Sequence, residues 1–192
     1  MYKKRGKETM QTKTTTNKTR DMIYIGLFAG LMAVCSWLSV PAAVPFTMQT
    51  FGVFLAAGVL GGKRGTWAIL VYLLLGAVGI PVFQGFTGGP GILFGNTGGY
   101  LLGFIGTALT MWGIERLLGG KTWALVLAML LGLAVCYAFG TVWFLAVYTQ
   151  SVEAVSFATV LGWCVGPFVI PDLIKIGLAL ALCKRLKKVV DR

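Results

Sequence analysis

Two charged side chains, Asp172 and Lys175, stand three residues apart within the apolar run of residues 157–183. Three-residue spacing places both side chains on one face of a helix. An ionisable group in hydrocarbon costs at least about 2.5–3.5 kcal/mol, so such groups usually face a cavity, a transport pathway or each other. The pair therefore predicts a polar functional site inside a membrane protein. The alternative is a buried ion pair that only determines how one helix packs.

The composition excludes most other classes of protein. Of the 192 residues, 57% are hydrophobic and 12% are charged, whereas soluble domains are about 45–50% apolar and about 25% charged. The chain has no histidine, the commonest general base and metal ligand. The segment 58–64 lacks the spacing of a phosphate-binding loop, so we do not expect this chain to hydrolyse ATP. We predict an integral membrane protein that is not an enzyme and needs no cofactor or metal.

The elements that must position the pair are apolar helices. A helix needs about 20 apolar residues to cross a bilayer, with a range of about 17–25. Six segments are candidates, at about residues 22–40, 46–62, 66–81, 99–118, 123–148 and 155–183. We expect one all-α membrane domain over residues 22–188. A basic, partly disordered tail (1–21) would precede it, and a short tail end (189–192) would follow.

The basic residues predict the orientation of this bundle. With six spans, the tails and the connections after spans two and four lie on one side, with 16 of the 17 Lys and Arg residues. The remaining basic residue is Lys175. Because positively charged connections stay inside the cell, both termini are expected to be cytoplasmic. The net charge of +11 is thus better explained by topology than by a nucleic-acid partner.

The connection at residues 82–98 is rich in glycine and long for a turn. It is either a lid over an outward-facing cavity or a loop packed closely on the protein surface. Asn96 lies at its end and offers both a donor and an acceptor. Its amide either pairs with a ligand or caps the helix that follows.

Three stretches of the chain resemble the biotin-binding S components, the BioY family, of energy-coupling-factor vitamin transporters. They are VPFTMQTFGVFLAAGVLGGKRG (44–65), YLLLGAVGIPVFQGFTGGPGILFGNTGGYLLGF (72–104) and GPFVIPDLIKIGLALAL (166–182). The resemblance implies a six-helix bundle in the bacterial cell membrane that takes up biotin from outside. It also implies a transmembrane coupling protein and two cytoplasmic ATPases as partners.

The same resemblance implies roles for particular residues. Asp172, Lys175 and Asn96 match biotin-binding positions of the family. Ala29 and Ala33 match its Ala-x-x-x-Ala motif, which would form the docking surface for the coupling protein.

Biotin has a ureido ring with two N–H donors and a carbonyl, an apolar thioether ring and a valerate carboxylate. Asp172 can accept from a ureido N–H, and Asn96 can pair with either ureido group. Lys175 either attracts the carboxylate or keeps Asp172 ionised. Further candidates for the cavity wall are Tyr100, Trp143, Tyr148 and Gln49.

A second function remains open from the sequence. The chain could be a self-sufficient vitamin carrier driven by an ion gradient, with Asp172 as the proton or ion site. Uptake with and without a coupling module distinguishes the two functions.

Overall fold

The long apolar runs of the sequence form helices in the computed structural model, which describes residues 2–40, 46–151 and 156–190 (backbone alone for 2–17, 150–151 and 189). The helices are α1 (Tyr2–Trp37), α2 (Gln49–Leu60), α3 (Gly62–Ala77), α4 (Pro90–Phe94), α5 (Gly98–Leu118), α6 (Thr122–Ser151), α7 (Phe157–Cys164) and α8 (Val169–Val190). Two single turns of 3₁₀ helix lie at Gln84–Phe86 and Gly166–Phe168. Strands β1 (Ser39–Val40) and β2 (Phe46–Thr47) pair antiparallel.

Four segments of the described residues are long and apolar enough to cross a membrane: Lys18–Trp37, Gly98–Leu118, Thr122–Thr149 and Phe157–Lys188. The predicted spans at 46–62 and 66–81 correspond to α2 and α3, which have only 12 and 16 residues, below the usual minimum of about 17. Nearly all of α2 is buried by its neighbours. Its ends therefore contact protein, and its length need not match the thickness of a bilayer.

Two element boundaries differ from those predicted. Helix α1 begins at Tyr2, well before Met22, and its apolar part begins near Lys18. The predicted disorder within residues 1–21 stays a prediction. The predicted span at 155–183 is divided into α7 and α8 by the turn at Gly166–Phe168, and its predicted start at residue 155 lies outside the described residues. Pro167 explains the division, because a proline inside a helix removes a hydrogen bond and clashes with the preceding turn.

Close packing of the helices surrounds a central core. Helix α5 runs along α6, α2 packs on α8 and α3, and α1 packs on α3 and α2. Gly65 allows the close contact of α3 with α2, because a Cβ atom there would lie 2.4 Å from Cα of Ala57. Large hydrophobic side chains such as Leu27 and Ile174 are exposed on the outer faces of the bundle, as expected of surfaces that contact lipid.

The connection between α3 and α5 folds back onto the bundle. Ser36 donates its hydroxyl hydrogen to the carbonyl of Val82 at 2.6 Å, and the Trp37 indole N–H donates to the carbonyl of Pro81 at 3.0 Å. The buried Phe83 ring meets Tyr72 edge-on, with 5.6 Å between the ring centroids. The connection is therefore packed on the protein, and some of its residues line the cavity described next. Its role as a lid stays a prediction.

Candidate functional site

A cavity of about 320 Å³ lies between α2, α5, α6, α8 and the connection that precedes α5. This volume falls at the lower end of the usual range of about 300–1,000 Å³ for small-molecule sites. Its described lining residues are Thr47, Gln49, Thr50, Phe83, Gln84, Thr87, Ile92, Thr97, Tyr100, Leu101, Phe104, Cys136, Tyr137, Cys164, Phe168, Asp172 and Lys175. Apolar walls with a few convergent polar groups are typical of ligand pockets.

Asp172 and Lys175 form an ion pair at the wall of this cavity. Nζ of Lys175 lies 2.7 Å from Oδ1 of Asp172, and the residues are 3% and 2% exposed, respectively. The predicted placement of both side chains on one helix face is confirmed. Asp172 also lies in the first turn of α8, where the helix dipole favours a negative charge.

Hydroxyl groups on two other helices also donate hydrogen bonds to the carboxylate of Asp172. Thr50 on α2 donates to Oδ1 of Asp172 at 2.9 Å. Tyr137 on α6 donates to Oδ2 of Asp172 at 2.5 Å. A buried ion pair is tolerated when further hydrogen bonds satisfy its remaining lone pairs and protons. These two hydroxyls therefore explain why the pair is stable away from water.

The ammonium group of Lys175 is also fully engaged. It donates to Oδ1 of Asp172, to the carbonyl of Thr47 at 2.7 Å and to the hydroxyl of Thr50 at 3.2 Å, and it lies 4.1 Å from the centroid of the Phe46 ring. A lysine has three N–H donors, and a carboxylate accepts about four hydrogen bonds. All three N–H donors of Lys175 are thus used, and this residue holds Asp172 in place. Oδ2 of Asp172 can accept one more hydrogen bond.

Two of the predicted wall residues line the cavity. Gln49 is buried, donates from Nε2 to the Tyr72 hydroxyl at 2.6 Å and accepts from Thr47 at 3.1 Å. The Tyr100 hydroxyl lies 3.2 Å from that of Thr141.

Asn96, Trp143 and Tyr148 lie outside the described lining. Asn96 is exposed beside Thr97, which does line the cavity. Trp143 supports the loop, because its indole N–H donates to the carbonyl of Gly95 at 3.0 Å. Tyr148 stacks on Phe144, with 5.3 Å between the ring centroids. Trp143 and Tyr148 therefore contact residues near the cavity without lining it themselves.

The sequence analysis missed Tyr137, Thr50 and Thr47. A signal existed for Tyr137, because a tyrosine in the middle of an apolar helix needs a partner for its hydroxyl. The spacing of Thr47 and Thr50 beside Gln49 is a weaker signal. Neither signal identifies Asp172 as the partner, which lies 35 residues from Tyr137 and 122 residues from Thr50.

The predicted docking residues of α1 are buried in this structure. Ala29 and Ala33 are 1% and 5% exposed and belong to the hydrophobic core. This face of α1 is turned inward because α1 packs on α2 and α3. Gly26 and Gly30 of the same helix are exposed, and an added Cβ atom there would meet nothing within 4 Å. A docking role for α1 stays a prediction.

Among the described residues, no group of three or more His, Cys, Asp or Glu side chains is placed to hold a metal ion.

Comparisons with known proteins agree on one family. The BioY family model matches residues 8–192. A biotin transporter BioY from Thermotoga maritima is 43% identical over 171 residues, covering 88% of this chain and 96% of that protein. A probable biotin transporter BioY from Pyrococcus horikoshii is 40% identical over 172 residues, covering 88% and 98%. The crystal structure of the S-component for biotin from an ECF-type ABC transporter has the same fold, with a TM-score of 0.79 at 24% identity, covering 90% of this chain and 93% of that one.

Proposed function

Because the chain belongs to the BioY family, we propose that it binds biotin in the central cavity and carries it across the membrane. Relatives at 43% and 40% identity are named as biotin transporters, and the apolar helices suit a membrane location. The observation that carries the proposal is the buried pair of Asp172 and Lys175 at the wall of a largely apolar cavity. The chain acts as a transport subunit and not as an enzyme.

Asp172 accepts a hydrogen bond from the ureido ring of biotin. Its Oδ1 accepts from Lys175 and Thr50, whereas Oδ2 has one partner among the described residues, Tyr137, and can accept a ureido N–H. The thioether ring then lies against the aromatic part of the wall, to which Phe104 and Phe168 contribute. Apolar burial of this ring and a charge-assisted hydrogen bond together supply affinity.

The valerate carboxylate lies at the outer rim of the cavity. Lys175 is the only cation among the described lining residues, and its three donors are already used. The rim instead offers Gln84, Thr87 and Thr97, of which Thr87 is exposed to solvent. Asn96 stands at the same rim and contributes its amide when the loop closes over the ligand. The other predicted residues, Gln49 and Tyr100, contact the ligand from the wall.

The chain crosses the membrane six times, with both termini in the cytoplasm. The distribution of Lys and Arg supports this topology. Helices α2 and α3 supply the two short crossings inside the bundle. The cavity then opens toward the outside of the bacterial cell membrane, on the side of the connection that precedes α5.

Biotin uptake uses the partners of an ECF-type transporter, a transmembrane coupling protein and two cytoplasmic ATPases. The fold shared with a biotin S-component supports this arrangement. The alternative carrier requires Asp172 to bind a transported cation. Such an ion would share the carboxylate with Lys175, Thr50 and Tyr137, and the positive charge of Lys175 disfavours a second cation there.

Biotin binding to the detergent-purified protein tests the site. We expect tight binding by the natural sequence and weaker binding by Asp172→Asn, Lys175→Ala and Asn96→Ala. A truncated member of a buried charge pair typically costs about 2–5 kcal/mol of binding free energy. Lys184→Ala, on the same helix as the pair but outside the biotin cavity, is the matched control. Full affinity in all three site variants would refute the assignment.

Uptake into cells with and without the coupling module tests the partnership. We expect biotin accumulation only when the coupling protein and the ATPases are present. Accumulation by this chain alone, abolished by dissipating the ion gradient, would establish the stand-alone carrier instead.

A further inference from the structure

We propose that a cavity bordered by the middle of α1, the start of α3 and the end of α5, on the basic face of the protein, binds the phosphate headgroup of an anionic phospholipid. This headgroup site has a volume of about 430 Å³, and it shares no described lining residue with the biotin cavity. Its described charged lining residues are Asp21, Lys63, Arg64, Glu115 and Arg116. The proposal uses the cytoplasmic location of this face but is independent of biotin binding.

Both carboxylates of the headgroup site already have a partner within the protein. Oδ1 of Asp21 lies 3.2 Å from Nη1 of Arg64. Oε2 of Glu115 accepts from the backbone N–H of Gly62, at the first residue of α3, at 2.5 Å. The acidic residues of this cavity therefore do not repel an anion at full strength.

Two cations of the headgroup site remain for a ligand. Within the described residues, neither Lys63 nor Arg116 forms an ion pair. The guanidinium of Arg116 is held near the Trp112 ring, with Cζ 5.8 Å from the ring centroid. Arg presents a planar fork of donors that matches phosphate oxygens, and Lys supplies a mobile point charge. One phosphate group can accept hydrogen bonds from both Arg116 and Lys63.

The surroundings of the cavity favour a lipid over free phosphate. Trp67 is 54% exposed at its edge, and tryptophans at the ends of membrane helices lie at the level of the headgroups. Leu74 of α3 and Val78, directly after its end, are 63% and 75% exposed, and they follow Trp67 at spacings of seven and eleven residues, which continue one helix face. This apolar stripe leads away from the two cations and provides a surface for an acyl chain. Basic cavities between helices on the cytoplasmic side are typical sites for anionic headgroups.

Native mass spectrometry of the full chain in mixed micelles tests the proposal. We expect the natural sequence to retain phosphatidylglycerol in preference to phosphatidylcholine. Each basic residue near an anionic surface contributes about fivefold in affinity, so Lys63→Gln and Arg116→Gln should each lower phosphatidylglycerol binding about fivefold, and the double variant about 25-fold. Exchange of the cations, as Lys63→Arg with Arg116→Lys, should preserve binding.

The matched control removes two other cations from the same face of the protein, as Lys184→Gln with Lys188→Gln. Equal retention of phosphatidylglycerol by the natural sequence and both single variants would overturn the proposal. A loss of binding in the control as large as that in the double variant of Lys63 and Arg116 would overturn it as well. Displacement of the lipid by excess inorganic phosphate would identify free phosphate as the ligand and overturn the lipid assignment. Biotin binding, measured on the same samples, should be unchanged, and it shows that the variants are folded.

Discussion

The hydroxyl group of Tyr137 on α6 donates a hydrogen bond to Oδ2 of Asp172 on α8. Thr50 on α2 donates to the other oxygen of the same carboxylate. One side chain therefore ties three helices together at the wall of the cavity. Asp172, the residue that we propose binds the ligand, therefore also stabilises the packing of the helices. Experiments must for this reason measure ligand affinity and protein stability separately.

Tyr137→Phe removes one hydrogen bond to the buried carboxylate and preserves the ring. Hydrogen bonds to charged groups contribute about 1.5–3 kcal/mol, and we expect the free energy of unfolding to fall by that amount. Denaturant titration in detergent measures it. Tyr24→Phe, a partly buried tyrosine of α1, is the control. An equal loss in both variants would contradict the role of the Tyr137 hydroxyl.

A double-mutant cycle on the ion pair distinguishes a binding site from a packing device. Asp172→Asn and Lys175→Met should each lower stability by about 3–5 kcal/mol, because each leaves one buried partner uncompensated. The double variant removes both charges and should recover most of the stability. Its biotin affinity should stay low, because the charged acceptor for the ureido group is still missing. Recovery of both stability and affinity would show that the pair only supports packing.

Gly65→Ala tests the contact between α2 and α3. Its Cβ atom would lie 2.4 Å from Cα of Ala57, and overpacking of this kind costs about 1–3 kcal/mol. We expect a lower temperature of thermal unfolding. Gly30→Ala is the matched helical control, since its Cβ atom meets nothing within 4 Å, and it should be neutral or stabilising by up to about 1 kcal/mol. Equal melting temperatures of the Gly65→Ala and Gly30→Ala variants would contradict the close approach of α2 and α3.

Cysteine labelling locates the ligand without any substitution. All four cysteines are buried, and Cys136 and Cys164 line the cavity proposed for biotin, whereas Cys35 and Cys183 do not. Biotin should slow the reaction of Cys136 and Cys164 with a small thiol reagent, as read by peptide mass spectrometry. Cys35 serves as the internal reference. Equal protection of all four thiols would indicate general stabilisation and not a ligand in this cavity.

Bulky substitutions on α1 test which face meets the coupling protein. Ala29→Trp places a large side chain in the core and should abolish biotin binding together with the fold. Gly30→Trp enlarges an open surface position, and we expect biotin binding to survive while uptake with the coupling module falls. Normal uptake by Gly30→Trp would exclude this part of α1 from the interface.

Much of the architecture was predictable because its signals are local. Apolar runs predicted helices at the positions of α1, α2, α3, α5, α6 and α8. The spacing of Asp172 and Lys175 predicted their shared face. The packing of the 82–98 connection was one of two alternatives, because burial of Phe83 depends on the distant ring of Tyr72.

The sequence by itself determined the class of protein, the positions of its helices and the shared helix face of two charges three residues apart. Composition and helical periodicity suffice for these properties. Only the tertiary structure decided that Ala29 and Ala33 face inward, that Asn96 is exposed, and that Tyr137 and Thr50 hold Asp172. The physical reason is that membrane helices are apolar on all sides, so their sequence does not indicate which face meets protein and which meets lipid. Helix packing decides that, and with it the partners of every buried polar group.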